Sequence, residues 1–471
     1  MKIIGAKRRP GRCGGSLLKA KVLFPAFEGF FTARTRRGGT ILVPYSARGD
    51  EISAREGGRL GRHAWAGIEE IEKRGRGRVE PPCALYFRPG SGKRCGGCDY
   101  MHLSYGEQLL CKKLAVEHAV RRIPGAASAV VGETAASPNI WRYRNKVQVP
   151  FSVENGRVIA GFFSPYSHKA VDFRDCLVQP EISVKIVNFV KALAQDRKWP
   201  IYDIASGRGW LRHVFVRTNA DGKAAMAFVT ADFPFPDRER TVNLLTEAFP
   251  GITGIFHNVQ TDRTSVVLGR DWERLWGNPF LEERLGRLKL RVVPGAFMQV
   301  NTPAAEVLYS AVQSLLIEGE HADEVMDVYS GAGSIAMWVA RDFSSVTGIE
   351  ENPRSVACAR ENAGANGIGN VRFEAGRAER LLYAELRSTS ARSVAVILDP
   401  PRYGCHQAVI NALAHPVVRK AVYVSCNPVS FARDAALLAG KGFRLKKVKP
   451  VDMFPQTSHI ETAALFTRKG R

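Results

Sequence analysis

A chain of 471 residues has room for two to four domains and at least one sizeable core. Its 68 Lys+Arg against 45 Asp+Glu leave a formal net charge of +23, which favours a polyanionic partner. No long apolar span or basic amphipathic anchor stands out, so nucleic acid ranks ahead of a membrane, and nine cysteines at uneven spacing argue against a disulfide framework.

Residues 1–40 carry ten Lys/Arg and one acid, Glu28. No apolar h-region follows Lys2 to Arg12, so this start reads as a nucleic-acid-binding arm of a cytoplasmic protein rather than a secretory signal. Short β-like runs follow at Lys21–Phe24, Gly29–Ala33 and Thr40–Pro44, separated by turn formers, as in a small β-barrel. The segment Ile41 to Glu51 resembles the hydrophobic-Pro-x-x-x-x-Gly-Glu signature of the TRAM domain, an OB-like RNA-binding barrel, with Asp50 as a departure. Arg59 to Arg78 alternates basic and acidic residues and reads as a solvated helix, a linker or an RNA contact.

Cys83, then Cys95-Gly96-Gly97-Cys98, then Cys176 come next. A Cys-x-x-Cys turn sets two thiolates on one side of a loop, and four thiolates complete a metal site. No second Cys-x-x-Cys is present, so spacing leaves an iron–sulfur cluster, zinc and no metal open. Cys13 and Cys111 are spare candidates, Cys111 within the helical spacing of Tyr105 to Arg122. Trp141 to Val147 interleaves arginines with aromatics, which suits either base stacking with phosphate pairing or a strand with a polar outer face. Strand-like runs around Val149–Val153, Arg157–Phe163, Trp210–Thr218, Ala224–Val229, Gly254–Asn258 and Ser265–Leu268 make the middle an α+β domain.

From Val325 the texture changes. A short apolar strand runs into Ser330-Gly331-Ala332-Gly333, and a helix is expected from Ile335 to Ala340. A second strand ends at Glu350, whose paired lone pairs suit ribose hydroxyls, and a third, Val394–Leu398, ends in Asp399-Pro400-Pro401-Arg402. The fourth, Ala421–Val424, stops at Ser425-Cys426-Asn427-Pro428 and places a thiol at a strand's carboxyl end, where α/β sheets bind ligands. Runs Phe443–Val448 and Ala463–Phe466 close the sheet, and the missing third dinucleotide glycine favours S-adenosylmethionine over NAD. A lone thiol there is more often a packed structural one. It is the company it keeps that matters.

Five motifs in order, Phe297-Met298-Gln299-Val300-Asn301, Asp327 to Gly333, Asp399 to Arg402, Ser425 to Pro428 and Met453 to Glu461, give the chain its likeness. It resembles the RNA uridine C5-methyltransferase family, in particular the iron–sulfur branch that makes 5-methyluridine in ribosomal RNA. The resemblance implies a class I methyltransferase domain, a doubly wound and mostly parallel α/β sheet, at 271–471. Before it would come a basic arm with a TRAM-like barrel at 1–80 and a central α+β domain at 81–270, whose helical stretch 104–124 packs on the methyltransferase domain. It further implies Cys426 as nucleophile and Glu461 as base. Gln299, Tyr329, Ser334, Glu350 and Asp399 would line S-adenosylmethionine, Phe297 would meet the substrate base, and Cys83, Cys95, Cys98 and Cys176 would ligate a [4Fe-4S] cluster.

Three departures stand against the pattern. Cys83 and Cys95 enclose eleven residues where the family has few, Ser330 replaces a common cysteine, and Arg377 replaces an acid or amide that meets the adenine amine. The chemistry is coherent, because addition of a thiolate to uracil C6 activates C5 and a carboxylate must then remove the C5 proton. The expected partner is RNA, ribosomal before transfer RNA, with no membrane and no obligate protein partner. A catalytically silent RNA-binding factor would have no need of both Cys426 and Glu461. An adenine N-methyltransferase would want an aromatic residue where Arg402 stands.

Overall fold

The computed structural model describes residues 15–92 and 94–468, so most of the expected basic arm, with Cys13, lies outside the described residues. The first unit is a closed barrel of β1 (Leu17–Pro25), β2 (Phe30–Thr35), β3 (Thr40–Pro44), β4 (Glu51–Leu60) and β5 (His63–Lys73), ordered β1-β2-β3-β5-β4. Alternate residues Phe31, Ala33, Ile41, Val43, Ile52, Ala54, Ala66 and Ile68 fill it. Of the stretch Arg59 to Arg78, read as a solvated helix, a linker or an RNA contact, the first part is neither helix nor linker: it completes β4 and forms β5, paired through Glu56↔Ala66 and Ala54↔Ile68. Its charges alternate because one face of a barrel strand meets solvent. Asp50, the departure in the TRAM-like signature, is fully buried and accepts the Ala47 and Gly75 amides and the Arg78 guanidinium, the last at 2.6 Å. It ties the β3–β4 turn to the chain leaving the barrel.

Ser104 caps α1 (Tyr105–Val120) by accepting the Glu107 amide. This helix serves two cores: Cys111 packs in the barrel, while Val116 and Val120 pack with Met326 and Val328 of the last domain. After β6 (Val130–Val131) come β7 (Lys146–Glu154), β8 (Arg157–Ala160), α2 (Glu181–Asp196), β9 (Leu211–Thr218), β10 (Ala224–Thr230), α3 (Arg238–Ala248), β11 (Ile252–Val259) and β12 (Asp271–Gly277). They form a six-stranded sheet, β12-β11-β10-β9-β7-β8, on which α2 lays Val184, Val187, Val190 and Leu193.

Ser265–Leu268, expected as a strand, is a loop. Side chains hold its backbone in place of a ladder: Gln260 Nε2 donates to the Val266 carbonyl, and Asn258 Nδ2 to the Gly269 and Asp271 carbonyls. The strand forms just beyond, as β12. Because β12 is hydrogen-bonded to β11, a boundary at 270/271 would cut a sheet, and we propose the division after Gly277.

The hairpin β13 (Leu281–Leu285) and β14 (Leu288–Val292) leads to α4 (Thr302–Ile317). Then alternate β15 (Glu324–Val328), α5 (Ser334–Val339), β16 (Ser345–Glu350), α6 (Pro353–Ala365), β17 (Val371–Ala375), α7 (Ala378–Ser388), β18 (Val394–Leu398), α8 (Gln407–Ala412), β19 (Val418–Ser425), α9 (Pro428–Ala439), β20 (Arg444–Val451) and β21 (Glu461–Thr467). The sheet order is β17-β16-β15-β18-β19-β21-β20-β6, doubly wound as expected, with β21 alone antiparallel to both neighbours. Edge strands β6 and β17 were not foreseen: one has two residues, and the other alternates polar and apolar as an edge allows. No described helix is long and apolar enough to cross a membrane.

α1 is pinned to the chain before β21 by a fully buried ion pair, Lys112 with Asp452. Lys112 Nζ also donates to the Phe454 carbonyl at 3.1 Å, and Gln108 exchanges hydrogen bonds with Gln456, backbone amide and side chain both. Removing one partner of a buried pair leaves the other charge unmatched, at a cost of about 3–5 kcal/mol. Lys112→Met is expected to lower the unfolding midpoint sharply, and adding Asp452→Leu to recover much of it; urea titration of the single and double variants checks this.

Candidate active site

Because β15, β16, β18 and β19 are parallel and in register, their carboxyl ends share one edge. Past Val328 the amides of Tyr329 and Ser330 both donate to the Ile349 carbonyl at 3.0 Å, which folds the glycine turn over β16. Tyr329 (φ 67°) and Gly331 (φ 55°) are left-handed there. A Cβ on Gly331 would meet nothing within 4 Å, so this glycine faces open space, whereas one on Gly333 would strike the Phe373 ring at 2.4 Å. Glu350 Oε2 accepts the Gly331 amide at 3.0 Å and Oε1 the Asn352 amide at 2.8 Å. A carboxylate has about four acceptor positions, so capacity for two hydroxyls remains. Ser334 Oγ bonds the Tyr309 hydroxyl at 2.8 Å, and the buried Ser330 Oγ and Asp327 Oδ1 have no protein partner.

Cys426 follows β19, half-buried. Asn427 caps α9 through the Val429 amide, and Asn427 Nδ2 and Ser430 Oγ both donate to the Arg402 carbonyl, at 3.1 and 3.0 Å. The loops after β18 and β19 are thus lashed together. Glu461 reaches the same place because β21 runs backwards: Ser425 pairs with Thr462, setting Glu461 beside Cys426. Burial raises the Cys426 thiol to about 12, Glu461 and Asp399 adding to the rise and Arg402 opposing it. Burial, then Asp399, holds Glu461 well above the usual carboxylate range, and burial lifts Asp399 to about 7.

The loop from β14 to α4 supplies the remaining predicted residues. Gln299 is buried, its carbonyl held by Asn145 Nδ2 at 3.1 Å. Asn301 caps α4 and bonds the Met453 carbonyl at 3.0 Å, joining this loop to the chain before Glu461. Phe297 is 64% exposed, with Lys146 Nζ 6.0 Å from its ring centroid.

A model of the tRNA (uracil-5-)-methyltransferase family matches residues 278–469. An uncharacterized RNA methyltransferase of Clostridium tetani is 37% identical over 395 residues, 83% of this chain and 84% of its own. Another, of Listeria innocua, is 35% identical over 92% of this chain and 93% of its own. The chain belongs to the RNA uracil C5-methyltransferase family. A solved tRNA (uracil-54, C5)-methyltransferase of Pyrococcus abyssi, in complex with S-adenosyl-L-homocysteine, is 26% identical with a TM-score of 0.74, over 95% of this chain and 100% of that one.

In this methyltransferase the long Cys83–Cys95 spacing is accommodated by an excursion that closes on itself: the Cys95 amide donates to the Leu85 carbonyl at 2.9 Å, and Arg88 bonds the Pro81 and Cys83 carbonyls. Cys95 Sγ accepts the Gly97 amide at 3.3 Å. Burial raises the Cys95 thiol to about 12 and lifts those of Cys98 and Cys176, and neighbouring thiols add to the rise: Cys176 and Cys83 act on Cys95, Cys176, Cys95 and Cys83 on Cys98, and Cys83 on Cys176. They are neighbours, yet among the described residues no three or more His, Cys, Asp or Glu side chains are gathered to hold a single metal ion. Arg377 is exposed at the start of α7.

Sequence reasoning missed Asp99. Its carboxylate accepts the Ser458 amide and hydroxyl at 2.6 and 2.7 Å, and the amides of Asp99 and Tyr100 both donate to the Gln456 carbonyl. The cysteine loop is thereby clasped to the segment that delivers Glu461. Asp99 carries no sequence signal beyond following Cys98. Since the thiolate fraction of Cys426 grows tenfold per pH unit below its pKa, labelling of Cys426 by iodoacetamide, read by peptide mass spectrometry, is expected to climb steadily from pH 7 to 10. A plateau near pH 7 would contradict the raised thiol.

Proposed function

We propose that this methyltransferase moves a methyl group from S-adenosylmethionine to C5 of a uridine in RNA, ribosomal RNA first, through a bond between Cys426 Sγ and C6. The observation that carries the reading is the Ser425↔Thr462 register, which sets a carboxyl group beside a thiol at the carboxyl-end edge of the parallel strands. Cys426 Sγ, as thiolate, adds to C6, and the electron pair displaced toward O4 makes C5 nucleophilic. The bound sulfonium supplies the methyl group that C5 takes. Glu461, as carboxylate, then removes the C5 proton, and the Sγ–C6 bond breaks to return the thiolate. Arg402 favours the charged forms of both groups, opposing the burial that suppresses them. Asp399 and the exposed Phe297 would hold the ring, the aromatic by stacking on a base turned out of its helix.

Glu350, with acceptor capacity left, would take the ribose hydroxyls of S-adenosylmethionine beside the open face of Gly331. Tyr329, Ser334, Gln299 and Asp399 would line the rest. The complex of the Pyrococcus relative with S-adenosyl-L-homocysteine, the product of such a donor, supports this.

Cys83, Cys95, Cys98 and Cys176 would hold a [4Fe-4S] cluster. In a cluster each thiolate meets its own iron, so the four donors need not converge on one point as they would around a single zinc. Its role would be structural, since Asp99 couples that loop to the Glu461 segment and methyl transfer is not a redox step. A transfer RNA substrate is the second reading, favoured by the Pyrococcus relative's own substrate.

Labelled S-adenosylmethionine incubated with unmodified ribosomal and transfer RNA, followed by mapping of the labelled nucleotide, decides between them. Cys426→Ala is expected to abolish methylation and Glu461→Gln to leave a protein–RNA adduct that survives a denaturing gel; a fully active Cys426→Ala protein would sink the mechanism. Anaerobically purified protein is expected to be brown with broad visible absorption, and a colourless, zinc-containing preparation would refute the cluster.

A further inference from the structure

Where β7 pairs with β9, Lys146 stands directly opposite Arg217. Val147 and Val216, their neighbours, point into the core beneath α2, so the two cations share the opposite face. Facing residues in an antiparallel pair lie about 5 Å apart at Cβ, and like charges so placed destabilise a sheet. Arg144 adds a third cation close by. Among the described residues no carboxylate forms an ion pair with Lys146 or Arg217. Glu283 attracts Arg217 through space without bonding it: its oxygens are taken by the Ala220 and Arg284 amides and the Thr302 hydroxyl, burial raises its pKa against the pull of Arg217, and it does not act on Lys146.

Arg217 is only 2% exposed, yet its Nε and Nη1 have no partner; Nη2 alone is used, donating to the Ala296 carbonyl at 2.8 Å. Ala296 is the residue before Phe297, over whose ring Lys146 Nζ sits. Three cations with unspent donors, gathered behind an exposed aromatic, form a place that an anion would stabilise.

We propose that Lys146 pairs with the phosphodiester of the nucleotide whose base lies on Phe297, and that Arg217 is the positioning residue of this subsite. The buried guanidinium supplies a second positive charge and holds the Ala296 carbonyl, fixing the Phe297 loop. Stacking and phosphate pairing then act on one nucleotide from two sides. This rests on the RNA-methylating reading given above.

The test is steady-state methylation of an RNA fragment containing the mapped uridine, with S-adenosylhomocysteine binding as a check on folding. Lys146→Met is expected to raise KM for RNA about tenfold, the loss falling on KM rather than kcat, and to reduce the salt dependence of binding by roughly 0.7–1 in log–log slope, one phosphate contact. Burial and the two arginines push Lys146 down to about 8. Wild-type KM should therefore rise as pH passes about 8 and the ammonium loses its proton, while that of Lys146→Met stays flat. Arg217→Lys, which keeps charge but cannot hold the loop in the same way, should lower kcat as well. If Arg217 variants fail to bind S-adenosylhomocysteine, a neutral methylphosphonate beside the target uridine replaces that arm: it should weaken wild type to the level of Lys146→Met and leave Lys146→Met unchanged. Unaltered KM and salt slope in a correctly folded Lys146→Met protein overturn the proposal. A wild-type enzyme that methylates no uridine overturns the functional reading instead.

Discussion

The arrangement depends on one strand running backwards. A parallel sheet gathers carboxyl ends at one edge, so β15, β16, β18 and β19 bring the glycine turn, Glu350, Asp399 and Cys426 together. Such a sheet delivers strand starts to the far edge. β21 is reversed, and its first residue, Glu461, therefore arrives beside the residue that follows the last of β19. The segment before Glu461 has no regular structure and is held from outside, by Lys112 on Asp452, Gln108 on Gln456 and Asp99 on Ser458. Those three partners come from α1 and the cysteine loop, so the small N-terminal elements are structural parts of the carboxyl site.

The electrostatics of the free protein oppose the chemistry proposed for it. Cys426, Asp399 and Glu461 are crowded acids in a partly dry place, and each is pushed toward its neutral form. Arg402 is the cation acting against this on both Cys426 and Glu461, and its carbonyl is the point where the loops after β18 and β19 meet. A thiol kept neutral until substrate arrives is protected from oxidants that attack thiolates. Binding of a sulfonium beside these groups would favour their charged forms, since an opposite charge nearby stabilises an anion.

The central sheet contributes through the adjoining ends of β7 and β9. Asn145 holds the Gln299 carbonyl and the Thr302 hydroxyl, and Arg217 holds the Ala296 carbonyl. The loop carrying Phe297 is therefore bonded at both ends to the central domain, and any shift of that domain would move it.

Much was determined by local sequence. Glycines at a strand end, an acid after the next strand and Asp399-Pro400-Pro401-Arg402 are short-range patterns, and the sheet puts them where their spacing implies. Local pattern differs from the fold at two places: the charge alternation of Arg59–Arg78 belongs to a half-exposed strand, which looks polar, and the apolar run Ser265–Leu268 to a loop held by side chains. Tertiary structure alone decided the rest. That Glu461 lies beside Cys426 needs the reversal of β21, that a chain of eleven intervening residues still returns Cys95 toward Cys83 needs the Leu85 closure, and that Lys146 faces Arg217 needs the β7–β9 register. Each is a contact between segments far apart in the chain, set by which strand pairs with which, and no local pattern encodes it.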